Sequence, residues 1–374
     1  MTWAEFHAES EKFASAAELA AKQGDVAAAH DLYRQAADAE VRALVALDVK
    51  KTRTLGITAV SAVALSYKAH EFTQAERLAH KWLATDLLPA FSVEQLQTLL
   101  QMMWNDVVRE KAGVKFTGGE VLISVKGGET VTGGAPLELI VRKVEEVRNI
   151  FYRTAEMLLA VPHRKRGPAS AEIQDTFRPW LFQAAPGSYQ FAVCVQEPPQ
   201  MELFPKAKIE AEKVAAKFIE IVKASIEDPE GALPEVVPDP DYRKTFLRMT
   251  RNLAPTGDDF GRLEVRPSTS PTARPIVLLP GAREAIGQTL RKQAPSAPPG
   301  APQHDEVQLT GVLRGLQLDK DWIEVTVEGQ TVRITGAGDQ VDDVLGPMVN
   351  RRVIVDAYRT KQGKMVLRDI KPAG

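Results

Sequence analysis

One cysteine in 374 residues, Cys194, leaves this chain without an internal disulfide and without a thiolate cluster for a metal. That scarcity points to a reducing compartment, and the cytoplasm is the expected location. Aromatic residues make up only 6% of the chain, and neither sign of charge prevails: 47 Lys and Arg stand against 49 Asp and Glu, a net of −2. A generally basic nucleic-acid wrapper is thereby excluded, whereas a local basic patch is not. No apolar run approaches the roughly 20 residues that span a bilayer, so no membrane partner is expected. The opening MTWAEFHAESEKF has no basic segment followed by an apolar one, and no secretory signal is expected. What is present, 44% hydrophobic and 26% charged residues, is the composition of a globular protein too long for one ordinary core.

Proline and glycine punctuate the chain unevenly, and that unevenness marks its divisions. Residues 1–88 hold no proline, are rich in alanine and carry helical periodicity nearly throughout. Over 114–135 short strand-like runs take over, broken by the pairs Gly118-Gly119, Gly127-Gly128 and Gly133-Gly134. Residues 294–303, APSAPPGAPQ, have proline in four of ten positions and no charge, the composition of an extended linker. The reading is a multidomain α+β chain: a helical domain over 1–111, a central α+β domain over 112–293, a proline-rich linker over 294–304 and a small β-barrel over 305–374. Lys and Arg number 11 against 15 Asp and Glu over 1–110, 26 against 23 over 111–304, and 10 against 11 over 305–374. None of these segments has the charge of a dedicated phosphate-backbone binder.

Two stretches of the helical domain repeat each other. Gly24-Asp25-Val26 is followed by Ala29, Tyr33 and Ala36, and His70-Glu71-Phe72 is followed at the same offsets by Ala75, Ala79 and Trp82. The turn lets two antiparallel helices meet, the small alanine permits close approach, and a larger residue fills the space beyond it. GDVAAAHDLYRQAA at 24–37 and, more loosely, HEFTQAERLAHKWL at 70–83 resemble the tetratricopeptide family. The two units lie 46 residues apart, against about 34 in that family, so the helix over 26–48 is long or is followed by an extra turn. A three-helix bundle like that of microtubule-interacting-and-transport domains fits the same spacing. The tetratricopeptide resemblance implies a groove for a peptide or partner helix, lined by Glu18 and Lys22 from the first unit and by Tyr67 and Lys68 from the second. The alternative is that these hairpins pack on the central domain or form a homo-oligomer.

In the central domain Glu120 to Lys126 alternates as a strand, and Leu137, Ile140, Val144, Val147, Phe151, Ala155 and Leu158 follow at helical spacing. A hairpin is expected from 180–183 and 189–196 about a turn at 185–188, then helices over 205–226 and 241–253 and short strands at 260–266 and 275–279. The loop GGETVTGG at 127–134 lacks the lysine and Ser/Thr of a P-loop and the spacing of a dinucleotide fingerprint, and reads as a turn. His163-Arg164-Lys165-Arg166 is the densest basic cluster. With Arg178 on the following strand it suits a phosphate, a nucleic acid or an acidic partner, or it is a solvated loop. Cys194, between Val193 and Val195 on an alternating strand, reads as a small buried hydrophobe. The six histidines show no metal spacing, and no G-x-S-x-G, H-E-x-x-H or kinase signature occurs. No catalytic residue, metal or cofactor is expected.

Residues 307–370 are ordered β-β-β-α-β-β, with strands at 307–318, 322–328, 331–335, 352–358 and 365–370 and a short helix at 339–345. That order resembles the OB-fold, a small partly open five-stranded barrel. The resemblance implies a face for single-stranded nucleic acid, here Arg314, Trp322 and Arg333. Glu324 and Glu328 share that face, which favours protein docking. The expected function is a non-enzymatic adaptor or scaffold that brings protein partners together within a bacterial multi-component system. Two alternatives stand beside it: single-stranded nucleic-acid or nucleotide binding through the barrel and the 163–166 loop, and an enzyme with a dispersed site in the central domain.

Overall fold

The first helix starts where its capping residues dictate. The Thr2 hydroxyl accepts from the Glu5 amide at 3.4 Å and the Glu5 carboxylate accepts from the Thr2 amide at 2.6 Å, a capping box that opens α1 (Trp3–Lys22). Asp25 caps α2 (Val26–Ala46) directly after Gly24, whose φ of +83° turns the chain at no steric cost. The computed structural model describes residues 2–112, 120–131, 134–182, 189–196, 211–267, 274–293, 305–338, 340–360 and 363–373. Three further helices complete the amino-terminal part: α3 (Thr52–Lys68), α4 (Phe72–Leu83) and α5 (Ala90–Ala112). Ala29, Ala36, Ala37 and Ala43 are buried along α2, and their small side chains let α1 and α3 pack closely against it. Gly56 does the same for α3, because a Cβ there would lie 2.6 Å from Ser92 Oγ and 2.9 Å from Pro89 Cδ. Leu96, Leu99 and Met103 of α5 join Val63, Ala75 and Ala79 in one apolar cluster. Among the described residues no helix is long and apolar enough to cross a membrane.

These helices form one unit of the chain, and nearly all described residues from 120 onward form a second. The second unit is mixed α+β. β1 (Val121–Lys126), β2 (Pro179–Phe182), β3 (Tyr189–Val195), β4 (Arg262–Pro267) and β5 (Ile276–Leu278) make a sheet in the order β2-β3-β1-β4-β5. β1 runs antiparallel to both neighbours, with Ile123 opposite Phe191 on one side and Val265 on the other. These side chains project with period two into the core, which they share with α6 (Leu137–Leu158) and α8 (Ala211–Glu227), where Phe151 stacks on Phe218 at 4.5 Å. The remaining helices of this part are α7 (Ala171–Thr176), α9 (Ala232–Val236), α10 (Pro240–Leu253) and α11 (Pro280–Gln293). α10 begins as its sequence requires, with Asp239 as cap and Pro240 in the first turn. The expected hairpin turn at 185–188, residues 205–210 of the expected helix and the linker at 294–304 lie outside the described residues.

β6 (Asp305–Gln317), β7 (Trp322–Val327), β8 (Gln330–Thr335), β9 (Arg352–Arg359) and β10 (Met365–Pro372) close into a barrel in the order β10-β8-β7-β6-β9, with α12 (Asp342–Leu345) between β8 and β9. β6 pairs with β9 through Val312 and, with a bulge between Leu313 and Gly315, pairs onward with β7. β8 and β10 run parallel. Gly311 is needed on β6, since a Cβ would meet the Thr326 carbonyl oxygen at 2.4 Å. The sequence reads this barrel as a domain apart, but its core is continuous with that of the sheet and helices. One buried cluster includes Val121 and Ile123 of the sheet, Phe246 of α10, and Val353 and Ile370 of the barrel. The reason lies in the side chains that α6, α10 and α11 send toward α12 and β10.

Candidate functional site

Among the residues expected to line a groove in the helical unit, Glu18 of α1 and Lys68 of α3 meet at 3.9 Å, and Lys68 Nζ lies 5.2 Å from the centre of the Tyr33 ring. Burial, and then the Glu18 charge, push the Tyr33 hydroxyl above its ordinary pKa. Tyr67 donates to Asp106 Oδ2 of α5 at 2.6 Å, and Lys22 is exposed in the last turn of α1. Large apolar side chains also stand in solvent: Val45 is 82% exposed, Ile57 49% and Phe91 40%, with Val49 and Leu87 exposed as well. They come from the end of α2, the start of α3 and the approach to α5. The packing of Gly56 on Pro89 and Ser92 holds the last two segments together.

The basic cluster at 163–166 finds its anions within the chain. His163 Nε2 lies 2.9 Å from Thr245 Oγ1 and its ring stands edge-on to Tyr242. Burial, and then repulsion from Arg153, hold the imidazole below the ordinary histidine pKa. Tyr242 donates to the Val161 carbonyl oxygen at 2.9 Å, and burial pushes its hydroxyl up to about 12. Arg164 donates to Glu156 Oε1 at 2.5 Å and to Asp343 Oδ2 at 2.9 Å, and Arg166 binds Asp319 and the Leu318 carbonyl oxygen. The Lys165 carbonyl accepts from the Asp342 amide, while the Gly167 amide donates to Asp342 Oδ2 at 2.6 Å. Arg178 instead lies 5.9 Å from the centre of the Trp180 ring. The cluster therefore fastens the loop after α6 to the carboxylates of α12 and of the turn after β6.

Sequence reasoning missed the buried cations that continue this seam. Arg153 of α6, fully buried, donates to Asp343 Oδ2 at 2.6 Å and to the Arg164 carbonyl oxygen at 2.7 Å. Arg251 of α10 donates to Asp369 Oδ2 at 2.5 Å and to the Ile370 carbonyl oxygen at 2.7 Å. Arg283 of α11 donates to the carbonyl oxygens of Arg251, Ala254 and Pro372. Lys143 bonds Glu146 Oε2 and the Asn252 carbonyl oxygen, both at 2.8 Å, and burial brings its pKa down to about 8. A signal for part of this was present in α6. Arg142, Glu146, Asn149, Arg153 and Glu156 recur at intervals of four and three residues, a polar stripe beside the apolar one. Such a stripe is ordinarily solvated.

On the barrel the structure brings Trp322 and Arg333 together. The Arg333 guanidinium lies 4.3 Å from the Trp322 ring centre and donates to Glu324 Oε1 at 2.7 Å, while Arg314 donates to Asn350 Oδ1 at 3.1 Å. The surface on which a base would stack thus meets a guanidinium whose charge Glu324 already matches. At the 127–134 loop the Glu129 amide donates to the Asp259 carbonyl oxygen, and a Cβ on Gly128 would lie 2.5 Å from that oxygen. Cys194 is buried in β3. Among the described residues no group of three His, Cys, Asp or Glu is placed to hold a metal. The chain matches no family model, no curated protein and no solved structure.

Proposed function

We propose that this chain is a non-enzymatic adaptor of a bacterial multi-component system, whose helical unit takes a protein partner. The observation that carries the reading is the set of exposed apolar side chains at the α2–α3 turn and the start of α5, Val45, Ile57 and Phe91 above all. Apolar side chains left in solvent are what a protein partner buries, and Ile57 and Phe91 lie on the two segments that Gly56 packs together. The helix-turn-helix pairs, with Ala29, Ala75 and Ala79 buried at the repeat positions, support a tetratricopeptide-like reading of this unit. The closed strand order, the parallel pairing of β8 with β10 and the helix between β8 and β9 support an OB-like reading of the barrel. The Arg333–Glu324 pair over Trp322 weighs against the nucleic-acid alternative.

The test uses the full-length chain as bait in a crosslinking capture, with bound proteins identified by mass spectrometry. A discrete partner should be enriched by the native chain and lost about tenfold or more from an Ile57→Glu, Phe91→Glu double variant, because two apolar anchors of an interface each carry about 1 kcal/mol or more. Arg333→Ala should leave the capture unchanged. Equal capture by the double variant, or measurable binding of labelled single-stranded DNA or RNA at about 50 mM salt without any protein partner, would overturn the adaptor reading.

A further inference from the structure

A cavity of about 250 Å³ opens in the second unit, lined by α6 and α10 and by α12 and the segment leading into β9. Met249, Val344 and Met348 give it apolar walls, and its polar lining is Arg142, Glu146, Asn252, Asp343, Arg351 and Arg352. Both carboxylates are engaged already, Glu146 by Lys143 and Asp343 by Arg153 and Arg164. Arg142 pairs with Asp259, yet its Nε is buried without a hydrogen-bond partner among the described residues. Arg351 and Arg352 have no carboxylate partner among those residues. Asn252 is 6% exposed and its Oδ1 is buried without a donor. A donor and an acceptor without partners among the described residues thus share one cavity lining.

Charge points the same way. Of the charged side chains that line the cavity, Arg142, Arg351 and Arg352 stand against Glu146 and Asp343, and Arg283 donates to the carbonyl oxygen of its Pro372, so positive charge is in excess. Burial first, and the Arg142 charge among the lesser causes, also bring Arg283 beside it down to about 10. That excess favours an anion as the ligand. Two unengaged guanidinium groups suit phosphate oxygens, and the Asn252 oxygen asks for a hydroxyl or amino donor a short distance away. At about 30 Å³ per water molecule in the liquid, the cavity has room for about eight waters. That is room enough for a three-carbon phosphate ester.

We propose that this cavity binds a small phosphate monoester that carries a hydroxyl group, its phosphate held by Arg351, Arg352 and Arg142 and its hydroxyl donating to Asn252 Oδ1. These residues take no part in the adaptor reading, so either reading can fail alone. The experiment is calorimetric titration of the full-length protein with glycerol 3-phosphate, inorganic phosphate and succinate at matched ionic strength. Glycerol 3-phosphate binds tightest, inorganic phosphate about fivefold more weakly for want of the Asn252 contact, and succinate weakest. Arg351→Ala combined with Arg352→Ala weakens both phosphates about tenfold or more. Arg352 is exposed, so Arg352→Ala alone keeps the fold, checked by an unchanged melting temperature without ligand, and still loses about threefold or more. Asn252→Ala lowers the affinity for glycerol 3-phosphate to that for inorganic phosphate and leaves the latter unchanged. No binding of any probe at about 10 mM, equal affinity of the arginine variants and the native chain, or succinate equal to the phosphates would overturn the proposal.

Discussion

Asp343 is the residue on which most of the seam's charge converges. It accepts from Arg153 and from Arg164, so Asp343→Asn leaves a fully buried guanidinium short of its counter-charge. Removing one partner of a buried pair costs about 3–5 kcal/mol, and urea unfolding of the second unit should show that loss. Asp319→Asn removes the exposed partner of Arg166 and should cost less than about 1 kcal/mol in the same measurement. His163 gives the seam a pH dependence of fixed sign. Its folded pKa is lowered, chiefly by burial, so the folded state binds fewer protons than the unfolded one once the pH falls below the ordinary value of 6.5. Stability is therefore lost as the pH drops from about 6.5 toward the folded pKa, and His163→Gln should flatten the fall of melting temperature between about pH 7 and pH 5. Lys143 works in the alkaline range: with a folded pKa of about 8 against an ordinary 10.5, it adds stability as the pH rises between those values.

At the scale of elements, Gly56 separates propensity from packing. Gly→Ala inside a helix ordinarily stabilises by about 0.5–1 kcal/mol. Here the added methyl meets Ser92 and Pro89 below contact distance, and Gly56→Ala should instead destabilise by about 1–3 kcal/mol. A lower denaturation midpoint of the helical unit is the expected result. The same contrast governs what could be read in advance. α6 was legible from Ile140, Val147, Phe151 and Ala155, which are buried, although Leu137 at its start is 72% exposed. The barrel strands were legible because Ile323 and Val325 alternate with polar residues and the turns carry glycine. α7 and α9 were not, since helices of six and five residues are too short to display a period. The stripe of Arg142, Glu146, Arg153 and Glu156 was legible as a face of α6. Its partners, 190 residues away in the case of Arg153 and Asp343, were not.

For the molecule as a whole, the shared core of the second unit has a consequence that truncation can test. Residues 120–293 expose Arg153, Arg251 and Arg283 once the barrel is removed, together with the apolar side chains that pack against Val353 and Ile370. Deleting 305–374 should leave α6 and α10 without protection in hydrogen exchange, whereas a tethered and independent barrel would leave their exchange unchanged. In the intact chain those helices and the barrel strands should open as one cooperative unit.

The sequence by itself determined the local elements: where helices cap, where strands alternate, where glycine and proline divide the chain, and that its charge is balanced. Each of those is decided within a few residues by backbone geometry and by the period of burial. Only the tertiary structure decided that the cluster at 163–166 meets the chain's own carboxylates, that the barrel shares a core with the sheet, and that Arg351 and Arg352 stand unengaged beside a cavity. The reason is that a charged side chain reads the same in sequence whether it faces water or a counter-charge brought from nearly two hundred residues away, and only the folded arrangement supplies the second of these.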